Sequence, residues 1–268
     1  RLFERHGKSV LFDPLPPEFL YQKVLKPVLD KIEHPGHDAT TLAEPALKVS
    51  RFLTETDKNE VLISPRELRQ MVLSTAAYCK KNPDANPLAV ADYFAYNLSK
   101  NLVPKTHKTQ FEALWDTPPQ LVQSQKIDEE KICVNASNQA AFNALHDALD
   151  VRELKLDTPE QRLGGLGGVI IEGEAGLGKS ELVTSVLCTR GLTQGSLQTI
   201  EEERETAHLF YLLPAGASLK EKIKILKHAF HQGAIVVIDE INSAGMMERE
   251  LNELLMGSVE GEKAKKLG

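Results

Sequence analysis

Apolar residues change their spacing partway along this chain. In the first hundred residues they recur every three or four positions, whereas after residue 165 they gather in short unbroken runs. The first spacing predicts amphipathic helices and the second predicts strands covered on both faces. Residues 8–12 form a strand-like run closed by the prolines of 14–17. Phe19, Leu20, Val24 and Leu25 then share a helical face interrupted at Pro27, which predicts a helix or a kinked pair of turns to about Ile32. A turn containing His34 and His37 follows, read as solvated rather than metal-binding, and 46–53 predicts one short helix. Ser64 precedes Pro65, with Glu67 three positions after the serine: a capping box with proline at the first helical position. The helix it starts is followed by a turn at Pro83–Pro87 and a second amphipathic helix over 88–102, ended by Pro104. Residues 104–125, with Trp115 and two adjacent prolines, read as a linker.

In the second half, 132–134 reads as a short extended segment, and Ser137 as the cap of a helix reaching Leu149. Residues 157–168 are a glycine-rich loop, 191–195 a turn and 208–213 a strand. A helix over 219–230 places Ile223, Leu226 and Phe230 on one stripe with lysines opposite, best read as a solvated face. The run 233–238 is a strand ending in Asp239 and Glu240.

Charge and cysteine usage narrow the class. With a net charge of −6, nucleic acid is not the expected partner. No apolar run approaches the roughly 20 residues of a membrane helix, so a soluble protein is expected, and its expected location is the cytoplasm. Cys79, Cys133 and Cys188 are widely spaced with no C-x-x-C pair, which reads as buried thiols in a reducing compartment. The chain opens on Arg1 without a leader pattern, which reads as a piece of something longer.

The chemistry concentrates in Gly173-Glu174-Ala175-Gly176-Leu177-Gly178-Lys179-Ser180-Glu181. Gly173, Gly178, Lys179 and Ser180 satisfy G-x-x-x-x-G-K-[ST] between an apolar run and a helix-compatible segment, the setting of a phosphate-binding loop. Gly176 and Gly178 would let bare backbone N–H groups approach a polyphosphate, and the helix beginning near Lys179 would turn its positive end toward it. Lys179 would reach the β- and γ-phosphates, and Ser180 would coordinate Mg²⁺. Carboxylates at the C-terminal end of a buried strand stand where open α/β sheets bind ligands. Asp239 would then hold Mg²⁺ and Glu240 would polarise the attacking water, giving Lys179 and Glu240 catalytic roles.

These motifs, with 239–244 and the segment 251–255, resemble the AAA+ ATPases, in the branch containing MoxR-type ATPases, midasin and dynein. The resemblance implies an α/β P-loop core that is incomplete at its C-terminus and follows a mainly helical, lid-like domain. On that basis residues 1–103 resemble the last strand and lid of a preceding module, 104–130 a linker, and 131–268 the first part of the next core. Ser64-Pro65-Arg66 matches the family's sensor 2 position, and Arg5, or else Arg1, its arginine finger; either would act in trans. The family's sensor 1 strand would follow Gly268, and the strands before Gly173 and Asp239 lack their common neighbour without it. The chain alone is therefore expected to be inactive or weakly active.

The implied function is Mg²⁺-dependent ATP binding and hydrolysis that remodels a protein client. ATP or ADP, other AAA+ modules in one chain or a ring, and the client are the implied partners; neither nucleic acid nor membrane is. Two alternatives remain open. One is a nucleotide-binding scaffold module with little turnover, which needs Lys179 and Ser180 but not Glu240. The other is a P-loop kinase or GTPase, opposed by the lack of an Asn/Thr-Lys-x-Asp guanine signature.

Overall fold

The computed structural model describes residues 15–30, 38–56, 63–121, 138–154, 169–174, 176–201, 209–213, 216–239, 258–259 and 262–263. Contacts divide the chain into two units, residues 1–122 and 123–268.

Helices build the first unit. Pro17–Leu20, Tyr21–Leu25 and Lys26–Leu29 are successive turns of one helix, α1, whose middle turn widens to π geometry just ahead of Pro27. A proline cannot donate to the carbonyl four residues before it, and a π turn is one way the ladder absorbs that gap. Helix α2, Ala39–Thr56, is far longer than the short helix predicted. It begins where the Asp38 carboxylate accepts from Thr41 N–H at 2.7 Å, and it runs through the buried Pro45. Helix α3, Pro65–Lys81, carries the predicted capping box between Ser64 and Glu67, and α4, Pro87–Ser99, is capped by Asn86. Leu25, Leu29, Leu42, Val49, Leu53, Leu68, Met71 and Phe94 are all buried in this unit.

Part of the segment read as a linker is built onto these helices. Lys105–His107 is a 3-10 turn and α5, Lys108–Glu112, follows it. Phe111 is buried and its ring lies 5.7 Å from Phe52, 5.6 Å from Tyr96 and 5.3 Å from Trp115. The reason is aromatic burial: the turn after α5 brings Trp115 back against the Phe111 ring, so two large rings pack together.

The second unit places a parallel sheet between two helical layers. Its elements are α6 (Gln139–Glu153), α7 (Lys179–Thr189), β1 (Thr193–Gly195), α8 (Leu197–Glu201), β2 (Leu209–Leu213), α9 (Leu219–Gln232) and β3 (Ile235–Ile238). The strands lie in the order β1-β2-β3, all parallel, with Gly195 opposite Tyr211 and Leu213 opposite Ile238. Alternation along the strands assigns the layers. Phe210, Leu212, Ile235 and Val237 pack with α6 and α7, whereas Leu209, Tyr211, Leu213, Val236 and Ile238 pack with α8 and α9. A two-residue pair, β4 (Ser258–Val259) and β5 (Glu262–Lys263), forms a separate antiparallel ladder.

Further expectations change here. Of the cysteines read as buried thiols, Cys79 is buried but Cys188 is exposed, and Cys133 lies outside the described residues. The turn read at 191–195 contains β1, because an edge strand is recruited by backbone pairing to β2 and needs no apolar pattern of its own. Residues 169–172, read as the strand entering the loop, have no ladder partner among the described residues. Val169 and Ile170 are exposed there while Ile171 packs on the α6–α7 layer. Strand β3 is only half-buried rather than enclosed on both faces. The predicted features at 8–12, 132–134, Ser137 and 157–168 lie outside the described residues.

Candidate functional site

Two glycines set the loop before α7. Gly176 (φ +81°) and Gly178 (φ +71°) occupy the left-handed region, which a side chain at either position would strain. Gly178 is also the residue from which α7 starts, and the first helical bond runs from Leu182 N–H to Gly178 O at 2.9 Å. The N–H groups of Lys179, Ser180 and Glu181 therefore have no acceptor within the helix, and no side chain caps the end. An uncapped, exposed helix start of this kind favours an anion.

Lys179 folds back over the loop. Its Nζ donates to Gly173 O at 2.8 Å and to Glu174 O at 2.7 Å. The ammonium thus stands against the mouth of the loop, held by two carbonyls that a stronger anionic acceptor can replace. Leu177 at the crest is 65% exposed. Ala175 lies outside the described residues.

From the other direction, β3 delivers Asp239 to the same place. Its Oδ2 stands 3.5 Å from Ser180 Oγ, although the two residues are 59 positions apart. That spacing is long for an O–H···O hydrogen bond. It is close to the roughly 3 Å between adjacent oxygens around a Mg²⁺ ion with its metal–oxygen distances near 2.0–2.1 Å. Among the described residues no group of three or more His, Cys, Asp or Glu side chains could hold a metal. A cation here would rest on one carboxylate, one hydroxyl and oxygens from phosphate and water, a donor set that suits Mg²⁺.

Arg66 is exposed in the first turn of α3 in the first unit, and Glu240, Arg5 and Arg1 lie outside the described residues. The carboxyl ends of β1 and β2 border an open pocket of about 460 Å³ lined by Gln194, Ser196, Leu212, Glu221 and Ile225, which includes none of the predicted site residues.

Two arginines that the sequence reading did not single out fix the elements behind the site. Arg190, at the C-terminal end of α7, donates to His146 Nδ1 at 2.8 Å, to the His146 carbonyl at 3.3 Å, to Asp150 and to Glu153, all on α6. Arg152, also on α6, donates to Gly233 O at 2.7 Å. Gly233 is the left-handed corner between α9 and β3. Burial, aided by Asp150 and opposed by Arg190, pushes the nearby Asp147 carboxyl up to about 7. The only sequence hint was a basic residue just before Gly191 at a helix end.

No helix among the described residues is long and apolar enough to cross a membrane. Compared with family models, with curated proteins and with solved structures, the chain finds no match in any of the three.

Proposed function

We propose that this chain binds ATP or ADP at Gly173–Ser180 and hydrolyses ATP with Mg²⁺, as part of an AAA+ ATPase whose modules move to remodel a protein client. The observation that carries the reading is the approach of Ser180 and Asp239 to 3.5 Å beside a lysine-closed glycine loop. In this reading the loop backbone and the first N–H groups of α7 cradle the phosphates. Lys179 exchanges its two carbonyl acceptors for β- and γ-phosphate oxygens. Ser180 and Asp239 hold the Mg²⁺, which when bound neutralises charge on the phosphates. Glu240 accepts a proton from the water that attacks the γ-phosphorus as the bond to ADP breaks.

The same reading assigns residues 1–103 to the lid of a preceding module, with Arg66 and Arg5 acting on a neighbouring nucleotide, in a cytoplasmic protein.

Calorimetry with ATP tests the site directly. Lys179→Ala should lose at least about 100-fold in affinity, because the cation facing the phosphates is gone. Equal affinity in the wild type and the variant would remove the assignment.

A further inference from the structure

Helix α6 carries none of the site residues, yet it is tied to both elements that build the site. Helix α7 carries Ser180 at its start and Arg190 just past its end, about 15 Å apart at helical rise. Strand β3 leads from the Gly233 corner to Asp239, about 20 Å at strand rise. Arg190 fastens the far end of the first rod to α6, and Arg152 fastens the α6 end to the root of the second. Both anchors lie in the C-terminal half of α6, and Phe142, Leu145 and Leu149 of the same helix share one buried cluster with Leu182, Val186 and Leu187 of α7, with Ile235 and Val237 of β3 packed against it.

The anchors are built to last. The side chain of Arg190 is only 16% exposed and that of its partner Asp150 only 5%, so the pair is shielded from salt and water. It also reaches a ring nitrogen and a carbonyl, so one planar fork fixes both the position and the rotation of α7. Gly233 O is a good purchase point because Gly233 is itself buried and the next residue closes the helix end, Ala234 N–H to Ala229 O at 2.9 Å.

We infer that α6 is a brace that sets the separation of Ser180 and Asp239, with Arg152 and Arg190 as its positioning residues. The inference rests on the proposed reading of the site, since it concerns the cation that those two residues would share. Releasing either anchor lets one rod pivot about its packed middle and changes the gap at the far end. The phosphate cradle lies within a single loop and helix start, so it survives that pivot. Cation binding should therefore suffer where nucleotide binding without the cation does not.

The test uses the whole chain and a fluorescent ATP analogue titrated with and without Mg²⁺. Arg152→Ala and Arg190→Ala should each raise the Mg²⁺ concentration needed for half-maximal enhancement by about 5- to 10-fold. Binding without Mg²⁺ should stay within about 2-fold, and Arg152→Lys, which keeps a donor, should restore most of the Mg²⁺ response. Losses in parallel with and without Mg²⁺, or no change in a folded variant, would overturn the brace. Hydrogen exchange on the nucleotide-free protein separates this from the site assignment. Arg152→Ala should speed exchange in β3, and Arg190→Ala in α7. If the wild type binds no nucleotide, the proposed function falls, and unchanged exchange in both variants would then dismiss the brace as well.

Discussion

Gly195 and Tyr211 face each other across β1 and β2, and the tyrosine ring fills the space that a Cβ on Gly195 would take. An alanine methyl there would lie 2.5 Å from Cε1 and 2.9 Å from Cζ of a ring that is 1% exposed and set edge-on against His228. The ring cannot swing away without disturbing α9. Gly195→Ala should therefore cost about 1–3 kcal/mol through overpacking. Thermal unfolding should show a drop of several degrees for the second unit, and an unchanged midpoint would mean that the strand pair yields.

Asp147 makes stability depend on pH. Its folded-state value of about 7 lies above its ordinary value of 3.8, so the folded protein holds a proton that the unfolded chain releases. Stability is then greatest below about pH 4 as far as this group is concerned, and declines as pH rises toward 7. Burial is the main cause, Asp150 adds to it and Arg190 opposes it. Asp147→Asn should leave the protein about 1–2 kcal/mol more stable than wild type at pH 8, with a smaller gap at pH 5. Urea titrations at the two pH values measure this, and an equal gap at both would assign the effect to packing.

Trp115 anchors the segment after α4. Its Nε1 donates to Asp92 at 2.7 Å, and the Lys48 ammonium stands 5.0 Å from the ring centroid. Trp115→Phe keeps a ring but removes the donor, and should cost about 1 kcal/mol in the first unit. Faster hydrogen exchange confined to α5 and its flanks is the expected signature, whereas a change spread evenly over both units would contradict it.

Glu240 and Asp239 should separate in function. In a longer polypeptide that completes the proposed core, Glu240→Gln should retain Mg·ATP while slowing turnover by about 100-fold or more, because an amide cannot take the proton from water. Asp239→Asn should instead weaken the response to Mg²⁺. Phosphate release assays beside nucleotide titrations distinguish the two. Binding in the wild type with no turnover at all would favour a scaffold module over an ATPase.

Legibility in the sequence followed how local each cause was. The start of α3 was readable because Ser64, Pro65 and Glu67 carry their own capping chemistry within one turn. The glycine loop and Asp239 were readable because contiguous residues define them, and the structure adds the 3.5 Å approach that no spacing rule supplies. Helix α2 extends well beyond the 46–53 that apolar spacing predicts, and it passes through Pro45. In the structure its missing donor leaves only the Thr41 carbonyl without that bond, while its ring joins the buried face. Strand β1 was invisible because Thr193 and Gln194 are polar and the pairing comes from β2. Arg152 and Arg190 carry no local signal because their partners lie 81 and 37 to 44 positions away, a separation only the folded chain closes.

The all-parallel order β1-β2-β3 also sets a tempo. Each strand pair is joined through an intervening helix, so no ladder in this sheet can zip from a tight turn. Loop-closure entropy has to be met before any strand pairing rewards it, whereas most of the first unit's contacts join helices adjacent in the chain. On dilution from denaturant the helical unit should regain its structure early and the sheet-bearing unit late. For that interval the apolar edges of β2 and β3 are exposed, which makes the slow half of the molecule the one that most needs protection from aggregation while it matures.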